Sequence, residues 1–216
     1  MHFDGKFVFS SIFRAGLVNV TVPLEMSLYL LKEKNYVPWA MALQHLTKWK
    51  QILQETSLIP DLNYLLRHIL SPMYNKLGWK DEGSHNERLL RDLILTHSVA
   101  SKMPEAEARA IQYFQDLKKN QKPVPPDFRW IAYSAGVKHG TPEDWNFAWK
   151  MYNSTQVASE RVLWLKALAS SNDPYILQQY LDSVFNRYGC MHSVKFQDFS
   201  VTQILREIDF DAFCTI

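Results

Sequence analysis

Histidines are the side chains of this sequence with the widest scope for chemistry, so their spacing is the first evidence on function. A zinc hydrolase site on a helix needs two histidines one turn apart with a glutamate between them, because that spacing points both imidazoles at one ion. The seven histidines are scattered, and no two of them are three or four residues apart. We therefore predict no metal site and no catalytic residue, and we interpret the histidines as surface or helix-end groups.

The two cysteines, Cys190 and Cys214, both lie in the last fifth of the chain. Their position excludes a disulfide framework for the body of the fold, and they are consistent with free buried thiols. Cys190 and His192, with Asp198 nearby, form an alternative metal corner, but their spacing matches no common zinc module. The same sequence contains no glycine-rich phosphate loop and no nucleophile elbow.

Two asparagines, Asn19 and Asn153, begin Asn-x-Thr sequons, the acceptor sites for N-linked glycosylation. Such sites are used only in a secretory compartment. We predict Asn19 and Asn153 as glycosylation sites if the protein is lumenal, and the alternative is that both patterns occur by chance.

Composition and charge do not indicate a binding partner. The formal net charge is +2, from 24 basic and 22 acidic residues, which is too small to predict binding to nucleic acid or to an anionic membrane. The basic run from Lys118 to Lys122 lacks interleaved aromatic residues, so we interpret it as a solvated polar loop. The N-terminus lacks the pattern of a signal peptide, and no segment has the length of uncharged residues that spans a bilayer. We therefore expect a cytoplasmic protein if the chain is expressed alone.

The stretch from Gly140 to Leu181 has the clearest helix signals and predicts three consecutive helices. Thr141 is a hydroxyl N-cap followed by a first-turn proline, and the sequence from Asn172 to Pro174 starts the third helix. Each predicted helix has one apolar face, and that face must pack against a neighbour. Two of these faces contain Trp145, Ala148, Trp149 and Tyr152 in the first helix and Val162, Leu165, Leu168 and Ala169 in the second.

The same signals recur along the chain and predict an all-α fold. A long helix starts at Tyr36, Gly78 ends another, and Ser84 with Glu87 forms a capping box at the start of a third. About ten helices joined by short connections predict a superhelical stack of antiparallel helix pairs, HEAT- or armadillo-like and incomplete at its C-terminal end. We predict a poorly specified lead-in over residues 1–10, a helical domain over residues 11–206 and a divergent tail over residues 207–216.

Several short motifs follow one another along the chain in the order found in a known family. They resemble the helical C-terminal domain of the gluzincin zinc aminopeptidases, of the aminopeptidase N and glutamyl aminopeptidase type. The resemblance covers approximately Ile12 to Leu205. The segment Tyr36–Val–Pro38–Trp39 is similar to the family's Tyr-x-Pro-Trp. It is followed by Gly78–Trp79, Leu90–Arg91, the segment from Pro125 to Tyr133, Trp145–Asn–Phe147–Ala–Trp149, Ala167–Leu–Ala169 and Tyr180–Leu181.

This resemblance implies a non-catalytic domain that, in a complete enzyme, caps the active-site chamber and assists folding and the cleavage of N-terminal residues from peptides. It also implies a zinc ion held by a different domain, since neither the His-Glu-x-x-His motif nor the Gly-x-Met-x-Asn motif occurs in these residues. The implied partners are an aminopeptidase catalytic domain or a peptide, and the implied location is the cell surface, the extracellular space or a lumen. Lys195 is the one substrate-pocket candidate, and the alternative is that Lys195 is a surface residue at a helix start.

An independent helical-repeat module that binds a peptide or protein is the alternative function. In either case we expect self-association through uncovered helices, because a helical stack needs polar caps at both ends.

Overall fold

The computed structural model describes the backbone of residues 21–188 and the side chains of residues 21–182. All the regular elements of this part of the chain are helical, which confirms the predicted all-α class. The α-helices are α1 Thr21–Ser27, α2 Tyr36–Leu53, α3 Ile59–Leu77, α4 His85–Ala100, α5 Pro104–Asn120, α6 Arg129–Lys138, α7 Pro142–Ser154, α8 Ala158–Leu168 and α9 Pro174–Tyr188. Short 3-10 turns cover Leu28–Lys32 and Pro126–Phe128.

The chain divides into two compact units, with the boundary between Glu107 and Ala108. This boundary falls inside α5, so the helix contributes its first turn to unit 1 and the rest to unit 2. The predicted limits of the lead-in and the tail lie outside the described residues. The predicted superhelical stacking stays a prediction.

Unit 1 is built around α2, α3 and α4, with α3 packed along α4. Its core forms because each helix buries one apolar stripe, and the fully buried members include Leu30, Trp39, Leu43, Ile69, Leu70 and Ile94. The indole Nε1 of Trp39 donates to the carbonyl oxygen of Glu33 at 3.2 Å, so its one polar atom is satisfied inside the core.

Local end signals fix the connections within unit 1 as the sequence predicts. Gly78 ends α3 with a φ of +55°, a conformation that glycine adopts at little cost. Ser84 and Glu87 form the predicted capping box at the start of α4, in which the Glu87 carboxylate accepts from the Ser84 backbone N–H at 2.8 Å.

Unit 2 is built around α6, α7 and α8, and its core is aromatic. The rings of Phe114, Phe147 and Tyr133 all contact the buried indole of Trp164, with centroid separations between 3.7 and 6.5 Å. The three helices predicted between Gly140 and Leu181 are confirmed as α7, α8 and α9. Asp173 caps α9, because its carboxylate accepts from the backbone N–H of Tyr175 at 2.9 Å.

Two predictions in this region are wrong. The polar loop predicted from Lys118 to Lys122 starts only after Asn120, because α5 continues through Lys118. The predicted apolar stripe of α8 includes Val162, but this side chain is exposed. The buried face of α8 is instead centred on Trp164 and Leu168, since these are the side chains that meet α6 and α7.

Candidate functional site

Asn153 is the one predicted site residue that lies within the described part of the chain. It occupies the last turn of α7 with an exposed side chain, and its Nδ2 donates to the carbonyl oxygen of Trp149 at 3.0 Å. The helix ends at Ser154, and Thr155 has an extended backbone with φ −72° and ψ 134°. The sequon therefore lies across a helix end on the surface of unit 2.

The other predicted site residues, Asn19 and Lys195, lie outside residues 21–188, and so do the cysteines and the alternative metal corner. Within residues 21–188, no three histidine, cysteine, aspartate or glutamate side chains are grouped so that they could hold a metal ion. The same residues include no helix with both the length and the apolar character needed to cross a bilayer. His97 and His139 do lie at helix ends, in the last turn of α4 and at the C-cap of α6.

Among the described residues of unit 2, the carboxylate with the most hydrogen bonds belongs to Asp144, in the first turn of α7. One carboxylate oxygen accepts from Lys118 Nζ at 2.7 Å and from Gln115 Nε2 at 3.3 Å. The other accepts from the backbone N–H and the hydroxyl of Thr141 at 2.8 and 3.0 Å. Burial raises the pKa of Asp144, but these hydrogen bonds outweigh it and the pKa lies below its usual value.

This cluster joins α5 to the start of α7, and both carboxylate oxygens of Asp144 accept hydrogen bonds from other members of the cluster. We therefore interpret it as structural. The sequence reasoning missed it, because Lys118 was placed in a solvated loop. The signal that could have found it is the amphipathic spacing of α5, which continues to Lys118.

A second polar group in unit 2 surrounds the stacked rings of Tyr133 and Trp164, whose centroids are 3.7 Å apart. The Tyr133 hydroxyl donates to Glu160 Oε1 at 3.1 Å, and Glu160 Oε2 lies 3.9 Å from an Arg129 nitrogen. Burial raises the pKa of Tyr133, and the negative charge of Glu160 raises it further. The phenol therefore stays protonated and acts as a donor, which gives it no role as a general base.

In unit 1, two cationic side chains meet the carboxyl end of α4. Lys50 of α2 donates to the carbonyl oxygen of Ala100, and Arg67 of α3 donates to that of Ser101 at 2.8 Å. Positive charge at this end complements the helix dipole and satisfies carbonyls that have no partner within the helix. His97 lies in the same turn, where burial, together with the charge of Lys50, lowers its pKa to about 4.

A cleft of about 250 Å³ lies beside this helix end, between α3 and the start of α5. Arg67, Ser71 and Tyr74 line one side, and Met103, Pro104 and Glu105 line the other. The Arg67 guanidinium already donates to Ser101, and the Ser71 hydroxyl donates to the carbonyl oxygen of Arg67 at 2.6 Å. No nucleophile, base and orienting group are brought together in this cleft, so its geometry indicates no reaction.

Comparisons with known proteins agree with the helical architecture. Residues 8–205 match the family described as the ERAP1-like C-terminal domain. Glutamyl aminopeptidase of Mus musculus is 29% identical over 204 residues, which are 93% of this chain and 21% of that protein. Human glutamyl aminopeptidase is 28% identical over 93% of this chain and 20% of its own length. Human aminopeptidase N is 26% identical over 80% of this chain and 19% of its own length. The chain thus spans about a fifth of the length of these relatives.

Proposed function

Since the chain belongs to the family of the ERAP1-like C-terminal domain, we propose that it serves as the non-catalytic helical domain of a zinc aminopeptidase. In this role it caps the chamber in which the N-terminal residue of a peptide is cleaved, and it assists folding of the catalytic domain. The zinc ion and its ligands belong to the catalytic domain. The chain supplies a surface on which the catalytic domain packs, and it shapes how substrate reaches the chamber.

One observation carries this proposal. The family match runs from residue 8 to residue 205, through both compact units, and the alignment with mouse glutamyl aminopeptidase covers 93% of this chain and 21% of that protein. A helical module that had only the general repeat architecture in common with these enzymes would not be expected to align with one of them over 93% of its length.

The polar groups of the described residues support the same role. Asp144 and Glu160 are both engaged by neighbouring side chains, and the cations Lys50 and Arg67 are engaged by the end of α4. These interactions stabilise helix ends and helix contacts, which is what a packing domain requires.

The partner that follows from this proposal is an aminopeptidase catalytic domain. Each unit exposes large apolar side chains that such a partner could cover. Among the described residues they are Leu28, Val37, Ile52, Leu58, Tyr64 and Leu89 in unit 1, and Val157, Val162 and Tyr175 in unit 2. Without the partner we propose that these side chains promote self-association. Light scattering across a concentration series would then give a mass above 25.3 kDa.

The compartment is a part of the same proposal. When joined to a catalytic domain, the chain enters whichever compartment that enzyme occupies. We propose that the chain stays in the cytoplasm when it is expressed alone, and fractionation of cells that express the tagged chain would test this.

The decisive experiment uses mouse glutamyl aminopeptidase from which the matched fifth of its length has been removed. This truncated enzyme is expressed alone, with the chain in trans, and fused to the chain, and both soluble yield and hydrolysis of glutamyl p-nitroanilide are measured. We expect the chain to raise both, and we expect no hydrolysis by the chain alone with zinc added. As a matched control, the chain carrying Gly136→Ala, which disrupts the core of unit 2, should fail to rescue.

Two results would overturn the proposal. Zinc-dependent turnover by the isolated chain would make it an enzyme. A folded chain that gives no rescue in trans or in the fusion would remove the catalytic domain as its partner and favour the alternative of an independent helical module that binds a peptide or protein.

A further inference from the structure

A proline-rich connection in unit 2 links the end of α5 to the 3-10 turn before α6. Its sequence is Lys122–Pro123–Val124–Pro125–Pro126, in which Pro123 and Pro126 are three residues apart. This Pro-x-x-Pro spacing is the one that SH3 domains bind in their aromatic grooves. We propose that the connection is a docking surface for an SH3 domain and presents two X–Pro pairs, Lys122–Pro123 and Pro125–Pro126, to the groove. This docking does not depend on the proposed function, and it requires only that the chain is in the cytoplasm, where SH3 domains are found.

The backbone of the connection is restricted to the polyproline II conformation that an SH3 groove accepts. Each proline ring fixes its own φ at about −65°, and the residue before a proline is excluded from the helical region. Lys122, Val124 and Pro125 each precede a proline, and Pro125 has a φ of −52° and a ψ of 141°. A ligand that is already in its bound conformation loses little conformational entropy when it binds.

Burial divides the connection into an inward and an outward side. Val124 is only 3% exposed, whereas Lys122, Pro123 and Pro126 are exposed and Pro125 is partly exposed. A polyproline II helix has three residues per turn, so in a bound Pro-x-x-Pro segment each X–Pro pair fills one pocket and the residue between the pairs points away from the groove. Val124 is the residue between the pairs. The fold therefore buries the one side chain that an SH3 groove does not contact.

Hydrogen bonds hold the connection against unit 2 along its length. The backbone N–H of Lys122 donates to the carbonyl oxygen of Asp116 in α5 at 3.4 Å. Arg129 Nε donates to the carbonyl oxygen of Val124 at 3.3 Å, and the backbone N–H of Phe128 donates to that of Pro125 at 2.9 Å. An SH3 domain would thus meet a preformed surface.

The charges and the aromatic residue beside the prolines favour an SH3 domain over a WW domain. Lys119 and Lys122 are both exposed, and the acidic rim of an SH3 groove attracts basic residues that flank the prolines. WW domains also bind polyproline II segments, and many of them take an aromatic residue two positions after a pair of prolines. Here that residue is Phe128, which is fully buried.

The test uses the full chain and a set of recombinant SH3 domains that covers both binding orientations of Pro-x-x-Pro ligands, with a set of WW domains in parallel. Each isotope-labelled domain is titrated with the chain and followed by nuclear magnetic resonance. We expect at least one SH3 domain to bind with a Kd on the order of 100 μM or tighter. Its shift changes should lie in the aromatic groove, and a proline-rich competitor peptide should reverse them.

The variants Pro123→Ala and Pro126→Ala each remove one X–Pro pair and should weaken this binding about tenfold or more. Lys122→Glu should weaken it as well, and added salt should weaken binding of the parent, because the acidic rim is screened. The matched controls are Pro60→Ala and Lys48→Glu, which make the same changes at exposed residues of unit 1 and should bind like the parent. Circular dichroism shows that each variant is folded, and if Pro126→Ala is not, Pro123→Ala decides.

Several results would overturn the proposal. One is a folded chain that no SH3 domain of the set binds with a Kd below about 1 mM. Others are binding that Pro123→Ala leaves unchanged and shift changes that lie outside the aromatic groove. Binding to a WW domain alone would also overturn it, because the partner would then belong to a different class.

Discussion

The ring of Phe114 lies directly against the bare Cα of Gly136, in the core of unit 2. A methyl group at Gly136 would place its carbon 2.1 Å from Cγ of Phe114, far inside contact distance. Phe114 is fully buried and also contacts the rings of Phe147 and Trp164, so it has no free direction in which to move. The absence of a side chain at Gly136 therefore sets how closely α5 and α6 approach.

The variant Gly136→Ala should destabilise unit 2 by about 3 kcal/mol or more, because the added methyl group overpacks a rigid aromatic core. Chemical denaturation followed by circular dichroism measures this loss. Adding Phe114→Leu should recover part of it, since the smaller side chain opens space for the methyl group. If Gly136→Ala alone keeps the parental stability, this result would contradict the close packing of Phe114 against Gly136.

Breaking the buried pair of Asp144 and Lys118 should cost about 2 kcal/mol for either Asp144→Asn or Lys118→Met, a value reduced because Lys118 is partly exposed. The double variant should cost less than the sum of the single variants, because each single change leaves a polar partner unmatched. Urea titrations of the four proteins give this coupling. Fully additive losses would show that the two groups do not interact.

The pH dependence of this pair has a definite sign. The folded state holds the pKa of Asp144 below its ordinary value of 3.8, so the stabilisation is present above that pH and is lost as the pH falls further. The parent and Asp144→Asn should therefore converge in stability in strong acid.

His97 should make the protein less stable as the pH falls from about 6.5 toward 4. Burial and Lys50 lower its pKa to about 4 in the folded state, so over this range the unfolded chain takes up a proton that the folded chain does not. The total loss is on the order of 3 kcal/mol. Replacing His97 with Gln should flatten the decline of unfolding free energy between pH 6.5 and 5, measured by urea titration.

The control for this prediction is His68→Gln, since His68 is an exposed histidine of the same unit. It should leave the decline unchanged. A His97 resonance that titrates above pH 6 in nuclear magnetic resonance spectra would contradict the buried neutral imidazole.

Lys102 connects α4 to α5 with a φ of +58°, which is unfavourable for any residue with a Cβ atom. We expect the free energy of unfolding to decrease in the order Lys102→Gly, parent, Lys102→Val. The glycine variant should gain about 0.5 kcal/mol, and valine should lose about 1 kcal/mol or more because it is β-branched. Thermal unfolding by calorimetry would rank the three proteins, and the reverse order would contradict the left-handed conformation at this position.

The helix starts were predictable because their chemistry is local. The backbone N–H groups of Thr141 and Ser84 donate to the carboxylates three residues later, Asp144 and Glu87. The Asp173 carboxylate accepts from the backbone N–H of Tyr175, so a few residues of sequence contain the whole signal at each start. The same holds for Gly78, whose left-handed φ ends α3.

The interactions between helices were not predictable in this way. Lys118 contacts Asp144 across 26 positions of sequence, and this contact depends on α5 continuing through Asn120, three residues further than its polar composition indicates. Periodicity placed Val162 on a buried face, but α8 is apolar around most of its circumference, so packing against α6 and α7 selects the face. Of the predicted site residues, only Asn153 lies in the described part of the chain. Its hydrogen bond to the carbonyl oxygen of Trp149 forms because both residues lie one turn apart on α7.

The distribution of buried indoles has an optical consequence. Trp39 is completely enclosed in unit 1 and Trp164 in unit 2, where Trp164 is stacked on Tyr133. An indole shielded from water emits at shorter wavelength than a hydrated one, so each unit contains its own fluorescent reporter. Replacing Trp39 or Trp164 with Phe would remove one shielded indole at a time from the seven tryptophans of the chain, and the difference in emission between the parent and each variant would follow the melting of the unit that lost it.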